Sequence, residues 1–163
     1  MTSPYLLRFD SPVGRIELQA DDTHLTSLTM ERDGTLPHDD EPERPNPLLE
    51  SARRQLTEYF AGTRTEFDLP VRLVGTPFQQ AVWSELGRLG WGEATSYGAL
   101  AAAVGRPGSA RAIGGAVGAN PVPIIVGCHR VLASDGRITG YSGGEGVPTK
   151  LWLLAHERIG FAA

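Results

Sequence analysis

Ile16, Leu18 and Ala20 alternate with Arg15, Glu17 and Gln19, a period-two pattern that suits a half-buried strand, and Tyr5–Phe9 and Leu25–Met30 read as its neighbours. Between Arg32 and Pro47 the chain turns acidic and proline-rich. Pro37, Pro42, Pro45 and Pro47 interrupt any period there, which predicts a loop or linker. Helical spacing follows, with Leu48, Leu49, Ala52, Leu56, Tyr59 and Phe60 on one stripe, Asn46 as N-cap, Pro47 in the first helical position and Gly62 beyond the end. Together these segments predict a small N-terminal strand-rich α/β layer.

A boundary near Val74-Gly75 divides the chain into residues 1–74 and 75–163. Thr76-Pro77-Phe78-Gln79 then gives a capping-box pattern, and Phe78, Val82, Leu86 and Leu89 form the apolar stripe of the helix it starts. Residues 96–104 and 108–118 read as two short helices broken by Gly105-Arg106-Pro107, a spacing compatible with a helix-turn-helix. Such pairs also occur in proteins that never meet DNA. Pro148 to Ile159 reads as a last helix with Leu151, Leu154, Ala155 and Ile159 inward. The expected class is α/β (α+β): the N-terminal layer joined to a mainly helical C-terminal domain.

At 163 residues, with 40% hydrophobic and 21% charged positions, the chain is composed like a soluble globular protein. No run approaches the roughly 18 apolar residues of a membrane span, and the first residues carry no export signal, so a cytoplasmic protein without membrane association is expected. Cys128 is the sole cysteine, which excludes an internal disulfide. His24, His38, His129 and His156 are too scattered to build a zinc site with it, so neither metal nor cofactor is expected. The net charge of −4 hides an asymmetry: residues 1–70 hold 7 Arg against 14 Asp and Glu, whereas residues 71–163 hold 8 Lys and Arg against 5. A polyanion would meet the second half.

The stretch from Asn120 to Val131 carries the candidate chemistry. Pro121 and Pro123 restrict the backbone, Ile124, Ile125 and Val126 read as a short buried strand, and Cys128-His129 emerges at its end. A thiol becomes a strong nucleophile only as thiolate, so an imidazole that takes its proton is the expected activator. A lone cysteine is also commonly a small buried hydrophobe, and the dipeptide does not decide between the two.

This segment resembles the active-site signature of the O6-alkylguanine-DNA alkyltransferase family, usually written Pro-Cys-His-Arg-Val. The resemblance continues, in family order, through Phe78-Gln79-Gln80-Ala81-Val82-Trp83, Ser96-Tyr97-Gly98, Ala110-Arg111-Ala112, Asn120-Pro121, Gly140-Tyr141-Ser142-Gly143-Gly144 and Leu153-Leu154-Ala155-His156-Glu157. It covers most of residues 76–157, while the first seventy residues match in general layout only.

The resemblance implies a DNA repair protein that flips O6-alkylguanine out of duplex DNA and moves the alkyl group irreversibly to Cys128, once per molecule and without a cofactor. His129 would take the thiol proton through a water, since adjacent side chains on extended backbone diverge, and Glu157 would orient His129. Tyr97 would donate toward the leaving guanine, and Asn120 would tie the turn before the cysteine to the helix pair. Arg111 would fill the vacated stack, with Tyr97, Ala110, Ala112, Gly114 and Arg130 completing the DNA-contacting set. The small residues 110, 112 and 114–116 would let a helix approach the minor groove. Tyr141, Ser142 and Val131 would wall the pocket. The implied partner is duplex DNA bearing the lesion, and the protein is expected to be monomeric without it. Gly127 stands where the family has proline, which predicts a less rigid Cys128 and slower transfer. Two other classes fit parts of the pattern: a lesion sensor that transfers nothing, and a Cys-His-Glu hydrolase.

Overall fold

The computed structural model describes residues 4–162. β1 (Tyr5–Phe9), β2 (Ile16–Ala20) and β3 (Leu25–Met30) pair as an antiparallel meander in chain order. Ile16, Leu18 and Ala20 are fully buried, as the alternation predicts. α1 (Pro47–Phe60) starts where Asn46 accepts the amide of Leu49 at 2.8 Å, and it ends on Gly62 at φ +81. Leu49, Ala52, Leu56 and Tyr59 bury its inner stripe in the same core as Leu18, Leu25 and Leu28.

The acidic stretch after β3 is not a free linker. Glu17 lies opposite Arg8 in the sheet and is 1% exposed, with its carboxylate 2.7 Å from His38 Nδ1 and accepting the His38 amide at 3.1 Å. Arg8 donates to the carbonyls of His38 and Glu41. A buried carboxylate must be paired, and this one is paired to the segment that covers it, so the stretch is a strap fastened to the sheet.

The second unit runs α2 (Pro77–Leu86), β4 (Thr95–Ser96), α3 (Tyr97–Ala103), α4 (Ala110–Gly118), a single 3-10 turn at Cys128–Arg130, β5 (Val131–Leu132) and α5 (Val147–His156). The capping box of α2 is complete, with Thr76 Oγ1 accepting from Gln79 N at 3.1 Å and Gln79 Oε1 from Thr76 N at 2.9 Å. Trp83 Nε1 donates to the Ala116 carbonyl at 2.8 Å, which locks α2 to α4. β4 and β5 pair in parallel, and this brings the start of α3 beside the segment that follows the cysteine.

Two sequence expectations are corrected. The run from Val122 to Val126 is not a strand: it coils through turns, with Ile124 fully buried at φ +73. Its β-branched residues mark burial instead, because Val122 and Ile124 plug the N-terminal core together with Leu153. On α5 the inward residues are Thr149, Lys150, Leu153 and Leu154, whereas Leu151 and Ala155 are exposed. Leu153 packs into the N-terminal core, whereas Leu154 packs with Leu132 and Ile159.

The end of α5 positions the site. Glu157 is the C-cap, Arg158 takes the left-handed conformation at φ +59, and the amides of Arg158 and Ile159 return to the carbonyls of Ala155 and Leu154 at 3.1 and 2.9 Å. This is a Schellman closure with arginine in the place usually held by glycine. Ile159 packs on Leu154 beneath it.

Candidate active site

Cys128 begins the 3-10 turn and is 3% exposed. The backbone at Cys128-His129 is therefore helical rather than extended, yet adjacent side chains on three-residue turns still point about 120° apart. Asn120 fixes the turn from behind: its Nδ2 donates to the Val126 carbonyl at 2.8 Å, and its Oδ1 accepts the Val122 amide at 3.0 Å. Because Asn120 follows α4 directly, the loop carrying the cysteine is tied to the helix pair.

Glu157 is the hub. Its Oε2 accepts from His129 Nε2 at 2.6 Å, Tyr59 Oη at 2.6 Å and Arg130 Nη2 at 3.0 Å, while Oε1 accepts from Arg130 Nε at 2.8 Å and the Gly92 amide at 3.3 Å. Burial opposes its charge, but the bonds from His129 and Arg130 outweigh burial and hold the carboxyl well below the usual carboxylate range. His129 is fully buried, and burial pushes its imidazole down against the pull of Glu157. With Nε2–H committed to Glu157, Nδ1 carries the free lone pair, and it has no hydrogen-bond partner among the described residues. Burial likewise pushes the Cys128 thiol up, against hydrogen bonding by Asn120 and Tyr141 and the charge of Lys150. Burial thus favours the uncharged form of both groups, the combination in which a proton can move from sulfur to His129.

Cys128 opens into a cleft of about 280 Å³ lined by Tyr97, Gly114, Val117, Gly118, Gly140, Tyr141 and Ser142. Tyr141 Oη lies 4.0 Å from the sulfur, and Ser142 Oγ donates to the Gly118 carbonyl at 3.0 Å, so the glycine-bounded loop closes onto α4. Thr139 Oγ1 donates to Tyr97 Oη at 3.0 Å, which leaves the phenol proton free to face the cleft. Outside it, Ala110, Arg111 and Ala112 stand exposed on the first turn of α4. The Arg111 side chain forms no hydrogen bond or ion pair among the described residues.

Three expected site residues lie elsewhere than expected. Arg130 lies in the interior and not on the surface: it is 5% exposed, chelates Glu157 and donates to the Leu89 carbonyl at 2.9 Å, because a buried carboxylate needs a buried cation. The Val131 side chain is fully buried in the second core and does not line the cleft; its carbonyl takes the Lys150 ammonium at 2.6 Å. Ala116 packs in the core against α2, so among the small residues of α4 it is Gly114 and Gly118 that face the cleft. Two residues escaped the sequence reading. Tyr59 reads in the sequence as one more apolar position of α1, and Lys150 carries no assignment there. A charged residue inside a helical stripe was the available signal for Lys150; nothing in the sequence marked the Tyr59 hydroxyl. Among the described residues no group of three or more His, Cys, Asp or Glu is arranged to hold a metal ion.

The model of the "6-O-methylguanine DNA methyltransferase, ribonuclease-like domain" matches residues 5–73, and that of the "6-O-methylguanine DNA methyltransferase, DNA binding domain" matches residues 77–159. The chain belongs to the 6-O-methylguanine DNA methyltransferase family. A constitutive methylated-DNA--protein-cysteine methyltransferase of Bacillus subtilis is 39% identical over 96% of this chain and 97% of that protein. A methylated-DNA--protein-cysteine methyltransferase of Mycobacterium bovis is 46% identical over 83% of this chain and 82% of its own. The crystal structure of the Mycobacterium tuberculosis O6-methylguanine methyltransferase superposes with a TM-score of 0.83 at 42% identity, covering 94% of this chain and 92% of that one. The same organism's OGT in complex with DNA gives 0.82 at 44% identity, covering 93% and 91%. The DNA-binding match of the methyltransferase family contains the whole cleft and every Glu157 partner except Tyr59.

Proposed function

We propose that this protein repairs DNA by taking the alkyl group of O6-alkylguanine onto Cys128, one group per molecule. The observation that carries the proposal is a single buried cysteine at the floor of a cleft, beside an imidazole held by a carboxylate and beneath a helix whose exposed first turn offers an arginine with an unpaired side chain.

The sulfur attacks the alkyl carbon as the carbon–O6 bond breaks, so the bonding electrons leave on guanine. The thiol proton passes through a water to His129 Nδ1, and the imidazolium so formed is balanced by Glu157. Lys150 adds positive charge on the sulfur side. The anion developing on guanine receives a hydrogen bond or proton from Tyr97, whose hydroxyl is already polarised by Thr139. Tyr141 and Ser142 wall the base. Because the lesion sits inside the stack, the nucleotide must leave the helix at a cost of a few kcal/mol. Arg111 fills the gap from the minor groove, and the small exposed residues around it permit the approach.

The test is intact mass after incubation with a duplex oligonucleotide carrying one O6-methylguanine. The expected result is one added methyl mapped to Cys128 and a restored guanine, with Cys128→Ser still binding the duplex and gaining nothing. Undamaged sulfur after prolonged exposure of reduced protein refutes the proposal and favours a lesion sensor; turnover of acyl substrates favours a hydrolase.

A further inference from the structure

Tyr59 lies in α1 of the N-terminal unit, 98 positions from Glu157, and is fully buried. Its ring is fixed by edge contacts with Phe60, Trp91 and His156 and by a tilted contact with Phe67, at centroid distances of 5.1 to 5.5 Å. His156 Nε2 also bonds its carbonyl at 2.7 Å. The hydroxyl therefore has little freedom to seek a partner, and the one it meets is Glu157 Oε2, the same oxygen that accepts from His129.

A carboxylate offers about four lone-pair positions. Glu157 receives five donors: Tyr59, His129, two from Arg130 and the Gly92 amide. Each added donor spreads the negative charge and weakens what remains for the imidazole. The titratable and charged groups facing His129 are Glu157 from the end of α5, Arg130 and Cys128 from its own turn, Lys150 from α5, and Tyr59, through the shared oxygen, from α1. Of these, Tyr59 alone comes from the N-terminal unit.

Building on the alkyl-transfer role proposed above, we propose that Tyr59 is a positioning residue through which the N-terminal unit sets the proton affinity of His129, by competing with the imidazole for Glu157 Oε2. It touches neither the sulfur nor the base. Without its hydroxyl, Oε2 holds the His129 N–H more strongly, so the imidazole becomes a stronger base. Burial already depresses His129, and Tyr59 adds to that depression by occupying its counter-charge.

The test is the pH dependence of single-turnover methyl transfer, with the His129 ring nitrogens followed by NMR in unreacted protein. Tyr59→Phe keeps the ring and is expected to move both the acid limb and the His129 titration upward by about one pH unit. A 3-fluorotyrosine at position 59, a stronger donor in the same packing, is expected to move them downward. In a Glu157→Gln background Tyr59→Phe is expected to add no further shift. Unmoved profiles in folded Tyr59→Phe and fluorotyrosine proteins, or a shift that persists in the Glu157→Gln background, overturn the proposal. Wild-type protein that never acquires the methyl group refutes the alkyl-transfer role instead, and the NMR titration still decides for or against Tyr59.

Discussion

Arg130 closes on Glu157 with two hydrogen bonds of 2.8 and 3.0 Å, in a place where their side chains are 5% and 0% exposed. Removing one member of such a pair strands the other charge in a medium that solvates it poorly, at about 3–5 kcal/mol. Glu157→Gln is therefore expected to lose stability on that scale in urea unfolding. Arg130→Met should lose less, because Tyr59, His129 and Gly92 still satisfy the carboxylate. If Arg130→Met instead weakened DNA binding with stability intact, the assignment of Arg130 to the interior would be wrong.

Acid should leave transfer working longer than a free histidine would allow. Only neutral imidazole accepts the thiol proton, and burial lowers His129, so the rate is expected to hold as pH falls through about 6.5, the ordinary imidazole value, and to drop below it. The same sign governs stability. His129 and Glu157 are both depressed in the folded protein, so both contribute fully above their unfolded values and lose that contribution on acidification. Single-turnover rates and thermal midpoints across pH 4 to 8 check both statements, and a rate that falls already at pH 7 contradicts the first.

Arg111 has no internal partner, so Arg111→Ala should change stability by no more than about 0.5 kcal/mol. Repair of lesion-bearing duplex is expected to slow by about tenfold or more, while reaction with free alkylguanine stays near the wild-type rate. Equal losses on both substrates would remove the flipping role.

Arg158 closes α5 in a conformation that L side chains enter at about 1–2 kcal/mol. Arg158→Gly should raise stability by about 1 kcal/mol, seen as a thermal midpoint about 2–4 °C higher. A lower midpoint would mean that the side chain contributes contacts outweighing the strain.

At Gly127 the backbone angle of φ −75 is one that proline adopts. What a side chain would meet is Arg130: a Cβ at 127 lies 2.7 Å from Nη1 and 2.9 Å from Cδ. Gly127→Ala is expected to cost about 1–3 kcal/mol and to loosen the Arg130–Glu157 pair, measurable by urea unfolding and by the transfer rate. An unchanged midpoint would show that the guanidinium yields freely.

The three N-terminal strands and the five helices were legible in the sequence. Hydrophobic period, the Asn46 cap, the Thr76–Gln79 box and the Gly105–Pro107 break all act within a few residues, so a linear reading captures them. Cys128-His129, Glu157 and Arg111 were reachable through motif resemblance. Harder to read were residues whose polarity or branching pointed one way while the tertiary setting used them in another. Ile124 and its neighbours looked like a strand because β-branched residues suit both strands and plugs in a core. Arg130 was placed among the DNA contacts because nothing local announces a buried counter-charge.

By itself, then, the sequence determined the N-terminal strands and the helices, which follow from short-range periodicity, and its motif resemblance singled out Cys128 as the candidate acceptor. Only the tertiary structure decided that Arg130 turns inward, that Lys150 reaches the Val131 carbonyl and that Tyr59 shares an oxygen with His129. The physical reason is that a polar group's role depends on the charge and hydrogen-bond partners brought to it, and here those partners come from turns and helices up to 98 positions away.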